Sequence, residues 1–206
     1  MWIKRAFDIA FSATALLLLA PLLAVIALWV RRGSPGPIIY QQERVGRHGQ
    51  LFRIYKFRTM RVGADAAGPQ ITVGADARIT RAGQFLRRTK LDELPQFANV
   101  LCGDMSVVGP RPEVPKYVAL YPTEVAAQVL SVRPGITDLA SLAYRDESEV
   151  LARSNDPERA YVQEILPAKL QYACQYVRER SLWLDLRIIS RTAAAVFSAP
   201  ADPQKP

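Results

Sequence analysis

The chain has 206 residues, half of them apolar, and 27 Lys and Arg against 19 Asp and Glu give a net charge of +8. That is length enough for one domain with its own core, roughly 100–200 residues being usual, and the apolar content excludes a disordered chain. Two cysteines far apart, Cys102 and Cys174, and one histidine, His48, exclude a disulfide scaffold, a Cys/His zinc site and a Ser–His or Cys–His triad.

Lys4, Arg5 and Asp8 precede 22 residues, 9–30, that carry no charge. As a helix this stretch is about 33 Å long, enough to cross a ~30 Å hydrocarbon core. It exceeds the ~7–15-residue apolar core of a signal peptide, and Trp29-Val30-Arg31-Arg32 is no small-residue cleavage site. Pro21 removes a backbone hydrogen bond in the middle and divides the stretch into 9–20 and 22–30, each about half a bilayer. With basic residues at both ends, the positive-inside rule sends neither end across. A spanning anchor and a hairpin bent at Pro21 both fit.

Residues 33–37 are a loop by composition. Segments 38–40 and 51–60 are expected strands, joined as a hairpin through 46–49. Alternation sets Phe52, Ile54, Lys56 and Arg58 on one face, which describes either a strand running from core to site or a strand with an exposed end. Residues 61–76, rich in Gly, Ala and Asp, read as a mobile loop. Residues 78–89 form an amphipathic helix with Ile79, Ala82, Phe85 and Leu86 inward and Arg78, Arg81 and Arg88 outward. Across 31–90 thirteen Lys and Arg stand against three acidic residues. Such an excess implies a polyanionic partner: nucleic acid, an anionic membrane surface or a phosphorylated substrate.

Lys90-Leu-Asp-Glu-Leu-Pro-Gln96 leads into an apolar-periodic run through Leu101. Pro95 fits only a first helical turn, so Asp92 and Glu93 fall at or near a helix N-terminus. There they either cap the helix or, following Arg81, Arg87, Arg88 and Lys90, do chemistry. In the second case one carboxylate holds Mg²⁺ together with substrate phosphates and the other attacks phosphorus. Residues 105–108 read as a strand ending in Gly109-Pro-Arg-Pro112, where two prolines fix the backbone around Arg111. That aim suits a phosphate or a structural ion pair equally. Arg133-Pro-Gly-Ile-Thr137 is a second rigid turn. Over 181–197, Leu182, Trp183, Leu186, Ile189 and Ala193, flanked by Arg180, Arg187 and Arg191, form a helix that docks on the core or lies in a membrane interface.

Together these segments resemble the bacterial sugar transferase family, the monotopic phosphoglycosyl transferases, at the length of their minimal catalytic form. The motifs are Lys4-Arg5-x-x-Asp8, Gly36-Pro37, Gln42-Glu-Arg-Val-Gly46, Phe52-Arg-Ile-Tyr-Lys-Phe-Arg-Thr-Met60, Leu91-Asp-Glu-Leu-Pro-Gln96, Gly103-Asp-Met-Ser-Val-Val-Gly-Pro-Arg-Pro112, Arg133-Pro-Gly-Ile-Thr137 and Leu182-Trp-Leu-Asp-Leu-Arg187, in family order. Asp138 stands where the family commonly has Gly, which leaves the sugar open. The resemblance implies an α/β fold, mainly helical with a small antiparallel sheet. It divides into a re-entrant membrane hairpin over 1–32, a catalytic domain over 33–198 and a disordered tail over 199–206.

The activity implied is transfer of a sugar 1-phosphate from a UDP-sugar to a polyprenyl phosphate at the cytoplasmic face of the bacterial inner membrane. Asp92 is then the nucleophile and Glu93 helps hold Mg²⁺. Lys56, Arg58, Arg87, Arg88, Arg111 and Arg133 bind phosphate or nucleotide, while Lys4, Arg5 and Asp8 anchor a hairpin bent at Pro21. Membrane lipids and downstream glycosyltransferases are the further partners, and nucleic acid is not among them. A non-catalytic membrane-tethered scaffold and a nucleic-acid binder are the alternatives, although no helix-turn-helix, finger or RNA-binding signature is present.

Overall fold

The computed structural model describes residues 2–64, 76–144 and 147–197, apart from the side chains of 148, 149, 196 and 197. Most of the expected loop over 61–76 and the whole of the tail lie outside these residues. Helix α1 (Trp2–Gly33) runs through Pro21 as a single element rather than as two helices. One proline removes one ladder bond, and the ladder continues on both sides. The helix is long and apolar enough to cross a membrane. Its middle is uncovered, with Leu17 and Leu18 76% and 73% exposed and Val25 also bare. A core helix would bury such side chains.

Both ends of α1 are fastened to the same body. Near the first end Lys4 Nζ donates to Asp185 Oδ2 at 2.7 Å. Arg5 donates to the carbonyls of Val100 and Leu101. The buried Asp8 carboxylate accepts from Ser106 Oγ at 2.9 Å and from the Val107 amide at 3.1 Å. Near the second end Ile26 and Val30 pack with Phe57 and Leu86, and the Trp29 and Phe85 rings lie 5.5 Å apart.

Strands β1 (Ile39–Val45) and β2 (Leu51–Phe57) form the expected antiparallel hairpin. β1 continues five residues past its predicted end, whereas β2 stops at Phe57. Beyond that point the Arg58 guanidinium donates to the carbonyls of Ser34 and Pro35. The free edge of β2 is completed by a side chain. Asn99 Oδ1 accepts from the Tyr55 amide at 2.9 Å and Asn99 Nδ2 donates to the Arg53 carbonyl at 2.8 Å, as a neighbouring strand would.

Helix α2 (Arg81–Thr89) starts three residues later than predicted, because Thr80 caps it by accepting from the Gly83 amide. A Cβ on Gly83 would come 2.0 Å from the Thr59 carbonyl oxygen, so only glycine lets α2 approach the end of β2 this closely. A 3₁₀ turn (Leu91–Glu93) then leads into α3 (Gln96–Cys102).

The short strand β3 (Ser106–Val108) pairs in parallel with β4 (Gly135–Thr137), so the second rigid turn is in fact a strand. Between them lie α4 (Pro115–Val118) and α5 (Thr123–Val129). After β4 come α6 (Leu139–Ala143), α7 (Glu147–Ala152) and α8 (Pro157–Ala160). A π-turn (Tyr161–Ile165) joins α8 to α9 (Leu166–Glu179), and α10 (Leu182–Phe197) follows. One core gathers Ile54, Val100, Met105, Val107, Val108, Tyr176 and Ile188. A second, around Tyr117, Leu151, Ile165 and Leu170, joins α4, α7, the π-turn and α9. Helix α10 docks through Ile188 and the buried Asp185, yet keeps Trp183 and Leu186 69% and 47% exposed on its outer side. Of the two dispositions that its sequence left open, docking on the core is the one observed, with apolar side chains left on the outer side.

Candidate active site

The turn that carries Asp92 and Glu93 is held from three sides. Lys90, with φ of +58°, reverses the chain after α2. Asn99, two turns further along, locks α3 onto β2. The last residues of β2 then project at the carboxylates: Lys56 Nζ donates to Glu93 Oε1 at 2.9 Å. The strand runs from core to site rather than to an exposed end.

Arg111 completes the arrangement. It grips Glu93 in a fork, Nη1 donating to Oε2 at 3.1 Å and Nη2 donating to Oε1. Its own amide donates to Asp138 Oδ2 at 3.3 Å, and Asp138 Oδ1 accepts from the Ser141 amide at the start of α6. The residue that departs from the family pattern is thus a buried helix cap that also ties down the backbone of Arg111.

These neighbours drive the two carboxyls apart. Burial alone would raise Glu93, but the Arg111 and Lys56 charges outweigh it and hold Glu93 well below the usual carboxylate range. Asp92 goes the other way. Burial, and next the charge of Glu93, push it above the usual aspartate range, against the pull of Lys56 and Arg87. Its Oδ1 is buried and has no hydrogen-bond partner. The same burial lowers Lys56 despite Glu93, whereas Glu93 raises Arg111. One carboxylate is therefore a fixed anion locked between two cations, and the other is a buried carboxyl with one oxygen left without a partner.

Of the other predicted residues, Arg87 lies close by, its Nε donating to Thr59 Oγ1 at 2.8 Å. Arg88 and Lys90 are exposed and line the same cavity as Glu93 and Arg111. Arg58 and Arg133 are not brought to the carboxylates: Arg58 holds the loop after α1, and Arg133 Nε donates to the Gly103 carbonyl at 2.7 Å. That cavity has a volume of about 780 Å³. One wall is apolar, with Ala15, Leu19 and Leu22 of α1 and Ile189 and Ala193 of α10. Another is polar, with Arg44, Glu113 and Lys169. Sequence reasoning passed over Arg44 and Glu113 as site residues although the first lies within a recognised motif and the second adjoins one, and Lys169 carries no motif at all.

Among the described residues no group of three or more His, Cys, Asp or Glu is placed to hold a metal ion. Both Glu93 oxygens are engaged by Lys56 and Arg111, so Glu93 would have to release one of these contacts to help hold Mg²⁺ that arrives with its phosphates.

The family model described as bacterial sugar transferase matches residues 1–199, and the chain belongs to that family. It is 39% identical over 198 residues to the UDP-glucose:undecaprenyl-phosphate glucose-1-phosphate transferase of Escherichia coli strain K12, covering 95% of this chain and 40% of that protein. It is 36% identical to the UDP-N-acetylgalactosamine-undecaprenyl-phosphate N-acetylgalactosaminephosphotransferase of Aeromonas hydrophila, covering 96% of this chain and 44% of that one. The exopolysaccharide production protein PSS of Rhizobium leguminosarum bv. phaseoli is 41% identical, and 94% of each chain is covered. The chain thus spans about two-fifths of the length of the first two relatives and nearly all of the third.

Proposed function

We propose that this protein transfers a sugar 1-phosphate from a UDP-sugar to a polyprenyl phosphate, through a covalent intermediate on Asp92, as a membrane step of bacterial polysaccharide assembly. The observation that carries the reading is the contrast within the dyad: Glu93 is locked by Arg111 and Lys56, while the adjacent Asp92 keeps a buried oxygen without a partner. In the first step that oxygen attacks the phosphorus bearing the sugar. The bond between the two phosphates breaks and UMP leaves. In the second step a phosphate oxygen of the lipid attacks the same phosphorus, giving polyprenyl diphosphate-sugar and restoring the Asp92 carboxylate. Mg²⁺ arriving with the diphosphate, and held in part by Glu93, would neutralise phosphate charge. Arg87, Arg88 and Arg111 supply fixed positive charge around the reacting group.

The two substrates come from different phases, and the disposition of the chain supports a site at their boundary. A spanning helix would part its ends by ~30 Å of hydrocarbon, whereas here residues 4–8 and 26–30 hold to one body. This favours α1 as a re-entrant element that enters the inner membrane from the cytoplasmic face and returns. The outer side of α10, with Trp183 and Leu186, then rests in the lipid interface. Purified protein given UDP-sugar and Mg²⁺ without acceptor should release one UMP per active site. Mass spectrometry of the quenched protein should find a hexose phosphate on the peptide carrying Asp92. Product formation with no such adduct and no burst would refute the covalent route.

A further inference from the structure

One wall of the cavity is polar, and the phosphoryl chemistry above makes no use of it. Glu113 accepts from the Tyr161 hydroxyl at 2.5 Å and lies 3.6 Å from Arg44 Nη1 and 3.7 Å from Lys169 Nζ. Lys169 donates to Glu147 Oε2 at 2.9 Å and stands 5.1 Å over the Tyr161 ring. Tyr161 opens the π-turn between α8 and α9, an irregularity found frequently at functional sites. Arg44, Glu113, Glu147, Tyr161 and Lys169 all line the cavity that contains Glu93 and Arg111.

We propose that this cluster is the subsite for the hexose ring of the donor, and that Lys169 and Glu113 choose among neutral sugars; the inference rests on the transfer proposed above. The sugar is joined through one oxygen to the phosphorus that Asp92 attacks, so its subsite must adjoin the dyad. Arg44 joins the two, its Nη1 donating to the Pro112 carbonyl beside Arg111 at 3.0 Å and lying 3.6 Å from Glu113. The nucleotide departs in mid-reaction while the sugar stays. Arg88 and Lys90 are exposed, whereas the Lys169 and Glu113 side chains are only 13% and 11% exposed. The open side fits the group that leaves and the enclosed side fits the group that remains. Two cations and two carboxylates balance, which suits the hydroxyls of an uncharged sugar and opposes a uronic acid. Tyr117 and Tyr144 also line the cavity and supply apolar ring surface for the sugar's C–H groups.

The test measures UMP release by the full chain in detergent with undecaprenyl phosphate. The donors are UDP-glucose, UDP-galactose, their two N-acetylhexosamine counterparts and UDP-glucuronic acid. The wild type should reject UDP-glucuronic acid. Lys169→Met should change the ratio of kcat/KM between its best and second-best sugars by about tenfold or more, as expected when a sugar hydroxyl loses its partner. Tyr161→Phe, which removes one oxygen and leaves both charge pairs, should shift that ratio less but in the same direction. KM for undecaprenyl phosphate should not move. If kcat/KM falls by one common factor for every sugar, or does not change, the cluster is a structural ion network and the inference is overturned. Should Lys169→Met fail to fold, Tyr161→Phe decides alone. A wild type that releases UMP from none of the donors overturns the transfer reaction instead.

Discussion

Asp92 and Glu93 are sequence neighbours with opposite ionisation behaviour, and each consequence can be measured. Burial raises Asp92, so its charged form, which the attack requires, is lost as pH falls through a value above the usual aspartate range. The acid limb of kcat/KM should lie correspondingly high, and Asp92→Asn should abolish turnover, by roughly 10³-fold or more. The same shift has a cost in stability. A carboxyl whose folded value is raised loses stability as pH rises from its unfolded value through its folded one, and bears the full cost above that. At neutral pH Asp92→Asn should therefore raise Tm, by roughly 2–4 °C for each kcal/mol relieved, while Glu93→Gln should lower it. An Asp92→Asn protein both inactive and less stable would contradict this account of the pair.

Among the elements, α3 does the most with the fewest residues, because Asn99 fixes it to β2 and so sets Glu93 against Lys56. Asn99→Ala leaves the Tyr55 amide and the Arg53 carbonyl without partners. It should cost about 2–3 kcal/mol and lower Tm by roughly 5–10 °C, with activity falling alongside. Local signals made much of this level legible. The hairpin, the amphipathic α2 and the turn holding the dyad all follow from alternation, helical period and the position of Pro95. What stayed hidden depends on contacts distant in the chain. Residues 133–137 read as a turn because a three-residue strand is defined by its partner β3, not by its own pattern. Likewise Arg58 and Lys56 share a face by alternation, but the strand ends between them, sending one to a loop and the other to the site.

For the whole molecule, the question is how one helix meets the membrane. With Cys102 and Cys174 both replaced by Ser, single cysteines at Trp2 and Ser34 should both react with an impermeant thiol reagent from the cytoplasmic side only. Labelling of the Trp2→Cys protein from the far side would establish a spanning anchor. Pro21→Leu restores the missing N–H and should move some molecules toward that spanning form. The family motifs were legible because seven or more occur in order, but the cavity that they surround is assembled from α1, α7, α9 and α10 and has no linear signature.

The fastening of Lys4 to Asp185 joins residues 181 positions apart. At about 5–20 residues per second on the ribosome, the partner of Lys4 emerges roughly 10–40 seconds after Lys4 itself. An apolar helix that enters lipid during that interval does so with its charged foot unclasped. Insertion would then precede closure of the clasp, and nascent chains stalled before α10 should be membrane-bound yet readily cleaved by protease between α1 and β1.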